Sequence, residues 1–278
     1  MSIMPEKAYK NLDFLASPSA RHIRILCEYE EPRQRFLKHG IHHTIVFFGS
    51  ARTLSGEVAR ARLEEANAST EPDADAREKL VAKAELDLRM SRYYDEAREL
   101  SRRLTEWSME QDAGRHFLIC SGGGPGIMEA ANRGAQDVPG GRSLGLGISL
   151  PFEQGVNQYV TPELGFEFHY FFTRKYWFLY LCKALVIFPG GFGTLDELFE
   201  TLTLVQTGKI KKKLPIILYG TEYWSKVLNI AAMPEFGTIS PADIDLVHVT
   251  NDLEDAFEHL TRRLAHTPQG TLLAKEEP

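Results

Sequence analysis

Cysteine is scarce in this chain. Only Cys27, Cys120 and Cys182 occur in 278 residues, and no two of them form a Cys-x-x-Cys pair. A disulfide framework or a cysteine-built zinc site is therefore not expected, and the thiols read as reduced, mostly buried groups of a cytoplasmic protein. Positive charge is not in excess either. The chain has 32 Lys and Arg against 38 Asp and Glu, a formal net charge of −6, whereas a protein that grips a nucleic-acid backbone usually carries a strong basic surplus. No apolar run approaches the roughly 20 residues that cross a bilayer, and the opening Met-Ser-Ile-Met-Pro-Glu-Lys lacks the apolar core of a secretory signal. Neither nucleic acid nor a membrane is an expected partner. The common nucleotide fingerprints are missing too. Gly122-x-Gly124 has no third glycine three residues on, and there is no Gly-x-x-x-x-Gly-Lys-Ser/Thr loop. His39, His42 and His43 cluster, but no further ligand set accompanies them, so no metal is expected.

What remains is the composition of a globular protein, 43% hydrophobic and 25% charged. Five short runs rich in branched and aromatic residues read as buried strands: Thr44–Phe48, His116–Cys120, Leu144–Ser149, Ala184–Phe188 and Pro215–Tyr219, with Leu246–Thr250 as a weaker sixth. Helical spacing fills the intervals, as at Leu195, Leu198, Leu202 and Val205, and Pro125 stands where a first-turn proline belongs. The alternation predicts an α/β fold, a doubly wound parallel sheet with helices on both faces. The charge-rich stretch at about 55–112 reads as a helical hairpin inserted between the first two strands, broken at the polar run Ser69–Asp75. Residues 1–40 form an N-terminal lead-in, 41–265 a single nucleotide-binding domain, and 266–278 a flexible tail.

Three strands end in small-residue loops: Gly49-Ser50-Ala51-Arg52, Ser121-Gly122-Gly123-Gly124-Pro125-Gly126, and Pro189-Gly190-Gly191-Phe192-Gly193-Thr194. In a doubly wound sheet all three lie along the carboxyl edge, where ligands bind. Glycine admits close approach of the main chain, and a helix N-terminus attracts anions, so Gly190, Gly191, Gly193 and Thr194 are candidates for holding a phosphate. Glu197 follows within one turn. A carboxylate there is of little use for simple phosphate binding and suggests chemistry beside a phosphorylated ligand, although Thr194-Leu195-Asp196-Glu197 also matches a capping box, which explains the residue without catalysis. Arg174 and Lys175 stand in the aromatic stretch Phe166–Phe178, either meeting an anion or reaching out to solvent. Lys211-Lys212-Lys213 reads as a solvated loop.

These residues resemble the LOG (Lonely Guy) family of cytokinin riboside 5′-monophosphate phosphoribohydrolases, whose members have often carried the label lysine decarboxylase. Pro-Gly-Gly-x-Gly-Thr-x-x-Glu is complete from Pro189 to Glu197, Ser-Gly-Gly-Gly-Pro-Gly-Ile-Met-Glu-Ala-Ala-Asn runs from Ser121 to Asn132, and the Arg-Lys pair matches Arg174-Lys175. The resemblance spans roughly Ile41–Leu260, and the lead-in and hairpin are similar to those of the longer bacterial members. It implies a Rossmann-like fold, a homodimer or larger assembly, no cofactor, and hydrolysis of the N-glycosidic bond of an adenine or N6-modified adenine nucleoside 5′-monophosphate. Glu197 and Arg174 are then the catalytic pair and the Gly190–Thr194 loop the phosphate site. Lys175, Gly49, Ser50, Ser121, Gly122, Gly123, Gly124 and Glu129 are further candidate contacts, and Phe152, Tyr159 and Phe192 are candidates for the base pocket. The competing expectation is a nucleotide-binding or nucleotide-sensing protein of the same fold without catalysis.

Overall fold

The computed structural model of the chain describes residues 4–111, 116–150, 155–211 and 214–267. The apolar runs form parallel strands β1 (His43–Phe48), β2 (Phe117–Ser121), β3 (Ser143–Ile148), β5 (Cys182–Ile187), β6 (Ile216–Tyr219) and β7 (His248–Thr250). A further edge strand, β4 (Gly165–Phe168), lies inside the stretch read only as aromatic. The seven strands are ordered β4-β3-β2-β1-β5-β6-β7 and every pairing is parallel. Strand order therefore reverses between β1 and β5, which is where a doubly wound sheet opens a crevice beyond its carboxyl ends.

Side chains alternate across the pleat and build two cores. Ile45 and Phe47 of β1 join Val186 of β5, while Val46 and Phe48 join Leu185 and Ile187 on the opposite face. The first face is covered by α4 (Ala74–Met109), α5 (Ile127–Gln136) and α9 (Leu253–Leu264), the second by α2 (Arg21–Lys38), α6 (Phe171–Tyr180), α7 (Phe192–Gln206) and α8 (Thr221–Val227). The lead-in is thus helical, with a short α1 (Leu12–Ala16) before α2. The expected hairpin is present as α3 (Gly56–Asn67) and α4, started by the N-caps Ser55 and Asp73. Its second helix is also the β1-to-β2 crossover, since Tyr93, Tyr94, Ala97, Leu100 and Leu104 are buried against the sheet. At 36 residues it is about 54 Å long. Residues 268–278 of the expected tail lie outside the described residues, and so do Lys212 and Lys213. Among the described residues no helix is long and apolar enough to cross a membrane.

Pro125 does not open α5. The helix begins at Ile127, after Gly126 at φ +70°, a left-handed conformation that side chains resist. A Cβ on Gly126 would also run into the main chain of Ser50 and Ala51, so the second glycine loop rests directly on the first. Gly126→Ala is expected to cost roughly 2–4 kcal/mol, seen as a lower urea midpoint at an unchanged slope.

Candidate active site

The crevice between β1 and β5 is closed from behind by main-chain hydrogen bonds. Phe188 N–H donates to the Phe48 carbonyl at 2.9 Å, Ser50 N–H to Pro189 O at 2.9 Å, and Ile127 N–H to Ser50 O at 3.1 Å. A cavity of about 520 Å³ opens in front. The Gly49–Arg52 turn forms one wall and the first two turns of α7, from Gly191 to Glu197, form the other; Met128, Phe171 and Arg174 also face it.

Helix α7 starts earlier than a capping box at Thr194 requires. Its N-cap is Gly191, with no side-chain cap, and Thr194 and Glu197 lie inside the helix. The capping role for Glu197 is therefore not realised. Thr194 and Leu195 N–H both donate to the Gly191 carbonyl, at 3.0 and 3.1 Å, whereas the N–H groups of Gly191, Phe192 and Gly193 have no acceptor among the described residues. These three amides at the positive end of the helix are a ready anion site. Gly190 is buried behind them: its carbonyl accepts the Tyr223 hydroxyl at 2.7 Å, and a Cβ there would overlap the Thr194 side chain. Its part is close packing of strand end and helix, not lining of the cavity.

Glu197 is only 5% exposed, and its Oε2 is buried without a hydrogen-bond partner. Burial pushes its carboxyl up to about 7, against the pull of Lys175 and then Arg174. The two cations are held elsewhere. Lys175 bridges Asp196 at 2.8 Å and Glu200 at 2.7 Å, and these carboxylates keep its ammonium above the ordinary lysine range although burial works against the charge. Arg174 donates through Nε to the Leu146 carbonyl at 2.8 Å and lies 5.0 Å from the Phe178 ring centroid. Burial lowers its pKa, and Glu197 partly offsets that. At Glu197 burial thus outweighs both cations.

The remaining candidates divide. Gly49 and Ser50 line the cavity. Ser121 is turned inward, its hydroxyl donating to Asn132 Oδ1 at 2.7 Å and accepting Gly123 N–H at 3.0 Å. Asn157 donates to the carbonyls of Gly123 and Gly124 at 3.0 and 3.1 Å, so this loop is fixed by a half-buried amide network. Gly122 gives room to Arg174 Nη2 and Met128 Sδ, which a Cβ would meet. Glu129 accepts the Tyr94 hydroxyl at 2.6 Å, away from the cavity. Phe192 stands 93% exposed at the cavity mouth, Tyr159 lies apart under Arg133, and Phe152 falls outside the described residues.

Sequence reasoning missed Glu28. From α2 its carboxylate accepts His169 N–H at 2.7 Å, Tyr170 N–H at 3.3 Å and the Thr173 hydroxyl at 2.6 Å, capping α6 one turn ahead of Arg174 and Lys175. Trp177 Nε1 donates to its carbonyl at 3.0 Å. Nothing local signals a cap that comes from 141 to 145 residues away.

The fold and site define an α/β protein with an anion-holding helix start beside a buried carboxylate, at the switch point of a parallel sheet. Residues 128–260 match the family described as "Possible lysine decarboxylase". That segment, which carries α7 and Glu197, is similar to this family and bears out the LOG-type resemblance. The pyrimidine/purine nucleotide 5′-monophosphate nucleosidase of Escherichia coli K12 is 31% identical over 119 residues, 38% of this chain and 25% of that protein. Proteins of the same name from strains O6:H1 and O157:H7 match equally. The chain spans about a quarter of the length of these curated relatives. The molybdenum cofactor binding protein of the phototrophic bacterium Rippkaea orientalis is similar at a TM-score of 0.39 and 19% identity, over 60% of this chain and 87% of that one. A likeness that low bears on nothing further.

Glu197 supplies a prediction on stability. Its carboxyl rises from about 4.5 unfolded to about 7 folded, so the folded state prefers the proton, and ionisation costs stability above pH 7 but not below about 4.5. Glu197→Gln removes that cost. It is expected to be more stable than the parent at pH 8.5 by on the order of 2–3 kcal/mol, with the two melting curves converging near pH 4.5.

Proposed function

We propose that the chain hydrolyses the N-glycosidic bond of a nucleoside 5′-monophosphate, releasing a free base and ribose 5-phosphate. The observation that carries this reading is Glu197: a buried carboxyl with an unpartnered oxygen and a pKa near neutrality, one turn along the helix from three free amides. Pure phosphate binding has no use for such a group, and a sensor would lose affinity by placing it there.

In this reading the amides of Gly191, Phe192 and Gly193 hold the 5′-phosphate and set the ribose over Glu197, so that binding energy remote from the reacting bond is spent on position. Rupture of the C1′–N bond leaves positive charge on the ribose ring, as in glycoside hydrolysis. Ionised Glu197 stabilises that charge and takes a proton from the attacking water. The water oxygen bonds to C1′, the electron pair of the broken bond leaves with the base, and Glu197 returns its proton to the base nitrogen. A carboxyl near pKa 7 suits both halves of this exchange. Arg174, anchored on Leu146, faces the same cavity and contacts the ribose or base. Phe171, Met128 and Phe192 offer apolar surface on which the base stacks, and adenine nucleotides are the first substrates to try. A homo-oligomer is part of the same reading, with Phe172 and Phe199 exposed on α6 and α7.

The decarboxylase description calls for a lysine joined to pyridoxal phosphate. Among the described residues the cavity has no lysine in its lining, and Lys175 is engaged by Asp196 and Glu200, so the residues do not fit that cofactor.

Free-base release from AMP, followed by chromatography with adenosine as control, tests the proposal. Turnover of AMP with none of adenosine is expected, and equal rates on both would refute the phosphate role of α7. Glu197→Gln is expected to hold AMP within about threefold of the parent affinity while losing at least ~10³ in kcat. The logarithm of kcat/KM should rise with unit slope up to pH about 7 and level off above it, as deprotonation produces the active carboxylate. Gly193→Asp fits without steric conflict, because no atom lies within 4 Å of its Cβ. By placing a carboxylate at the amides it should raise KM for AMP more than ~10-fold, with the melting temperature kept.

A further inference from the structure

A second hollow, about 860 Å³, lies on the other side of the Ser50–Arg52 turn, between α4 and α8. It shares only Ser50, Ala51 and Arg52 with the candidate active site. Six cations line it: Arg52, Arg62, Lys83, Arg89, Arg92 and Lys226. Among the described residues only two carboxylates face them, on a chain whose net charge is −6. Asp87 is taken by Lys83 at 2.8 Å and Arg62 at 3.9 Å, and Glu222 by Lys226 at 2.9 Å. Arg52, Arg89 and Arg92 have no carboxylate within ion-pair distance among the described residues; Arg92 reaches the Tyr93 hydroxyl, at 2.7 Å.

Between the cations the floor is apolar. Leu54, Leu86, Met90, Val227 and the ring of Tyr223 contribute to it, and Leu86 and Val227 are exposed at 45% and 43%. A small inorganic anion would leave that floor wet, and an apolar ligand would leave the three guanidinium groups unused. A ring carrying several phosphoryl groups meets both, with planar donors suited to phosphate oxygens. The volume also lies in the range of small-molecule sites.

We propose that the groove between α4 and α8 is a second binding site that takes a nucleoside polyphosphate, with the phosphate chain on Arg52, Arg89 and Arg92 and the base on the apolar floor. The helical hairpin between β1 and β2 supplies about half of its lining, which gives that element a binding role beside its crossover role. The groove abuts the back of the phosphate loop, since Tyr223, part of its floor, donates to the Gly190 carbonyl. The readout below is binding and not turnover, so it stands or falls apart from the hydrolase reading.

The test is ATP binding by titration calorimetry to the parent chain, to an Arg89→Glu/Arg92→Glu double variant, to Leu86→Asp and to Gly193→Asp. The charge reversals, both at exposed positions, are expected to weaken ATP at least ~10-fold, and Leu86→Asp several-fold, with melting temperatures unchanged. Gly193→Asp, which spoils the active-site amides, should leave ATP affinity within about twofold. Tripolyphosphate, which lacks the ring, should bind more weakly than ATP, and both should weaken as salt rises. No ATP binding to the parent, affinity indifferent to the charge reversals, or loss of binding in Gly193→Asp would each overturn the proposal.

Discussion

The carboxyl edge of the sheet is organised around the main chain of Ser50. Its N–H is bound to Pro189 and its carbonyl to Ile127 N–H, while its hydroxyl accepts Arg52 N–H. One residue thus ties together the three glycine loops that end β1, β2 and β5. The contacts are possible only because the loops lack side chains where they meet: Gly49 against Ile127, Gly126 against Ser50, Gly190 against the Gly49 main chain. Once they are joined, the direction of α7 is set. Its first three amides cannot fold back on an acceptor, so they face the gap that the reversal of strand order opens between β1 and β5.

The electrostatics of Glu197 follow from that geometry. The second turn of α7 runs under the wall of the cavity, and a side chain there loses water without gaining a hydrogen bond. Two cations are near enough to matter, yet neither is free to pair with it, because Lys175 is divided between Asp196 and Glu200 and Arg174 is anchored on the Leu146 carbonyl. Desolvation and attraction therefore oppose each other, and desolvation is the larger. A direct bidentate pair with arginine would have held the carboxyl low and made it a poor proton acceptor at neutral pH. The misfit costs stability and leaves the group poised to titrate.

The parallel sheet was legible because its strands are buried on both faces and read as continuous apolar runs, Ala184–Phe188 most plainly. The edge strand β4 was not, since four residues within an aromatic stretch carry no turn signal of their own. The third glycine loop and Glu197 were visible as a motif, but the start of α7 was misplaced. Thr194 looks like a cap, and the actual first turn, Phe192-Gly193, has no capping chemistry to announce it. Ser121 looked like a cleft residue because it begins a glycine run; its partner Asn132 lies 11 residues along the chain and is itself bound by Asn157, 25 residues further on, and only the fold brings them together. Local signals reported local structure correctly. Polar groups satisfied over long sequence distances stayed hidden.

The same distinction explains the two segments outside the motifs. Helix α6 has no side-chain cap of its own at Tyr170, although it must start sharply at the sheet edge to present Arg174 and Lys175. The lead-in supplies what is missing: the Glu28 carboxylate takes two orphan amides and the Thr173 hydroxyl, and its negative charge complements the helix start. Tyr29 and Phe36 from the same helix pack on Trp177, so the cap is held by a hydrophobic contact and is not left to fray. The hairpin acts from the opposite face, where Tyr93 of α4 fills the space beside Gly220, just ahead of α8, while Tyr223 of α8 holds the Gly190 carbonyl. Each segment therefore braces one wall of the crevice, α2 the wall that carries the cations and α4 the base of the phosphate loop. A chain reduced to the segment 128–260 would keep Glu197 and its motif but lack both braces and β1 itself, and the residues that make the carboxylate unusual would have nothing to hold them in place.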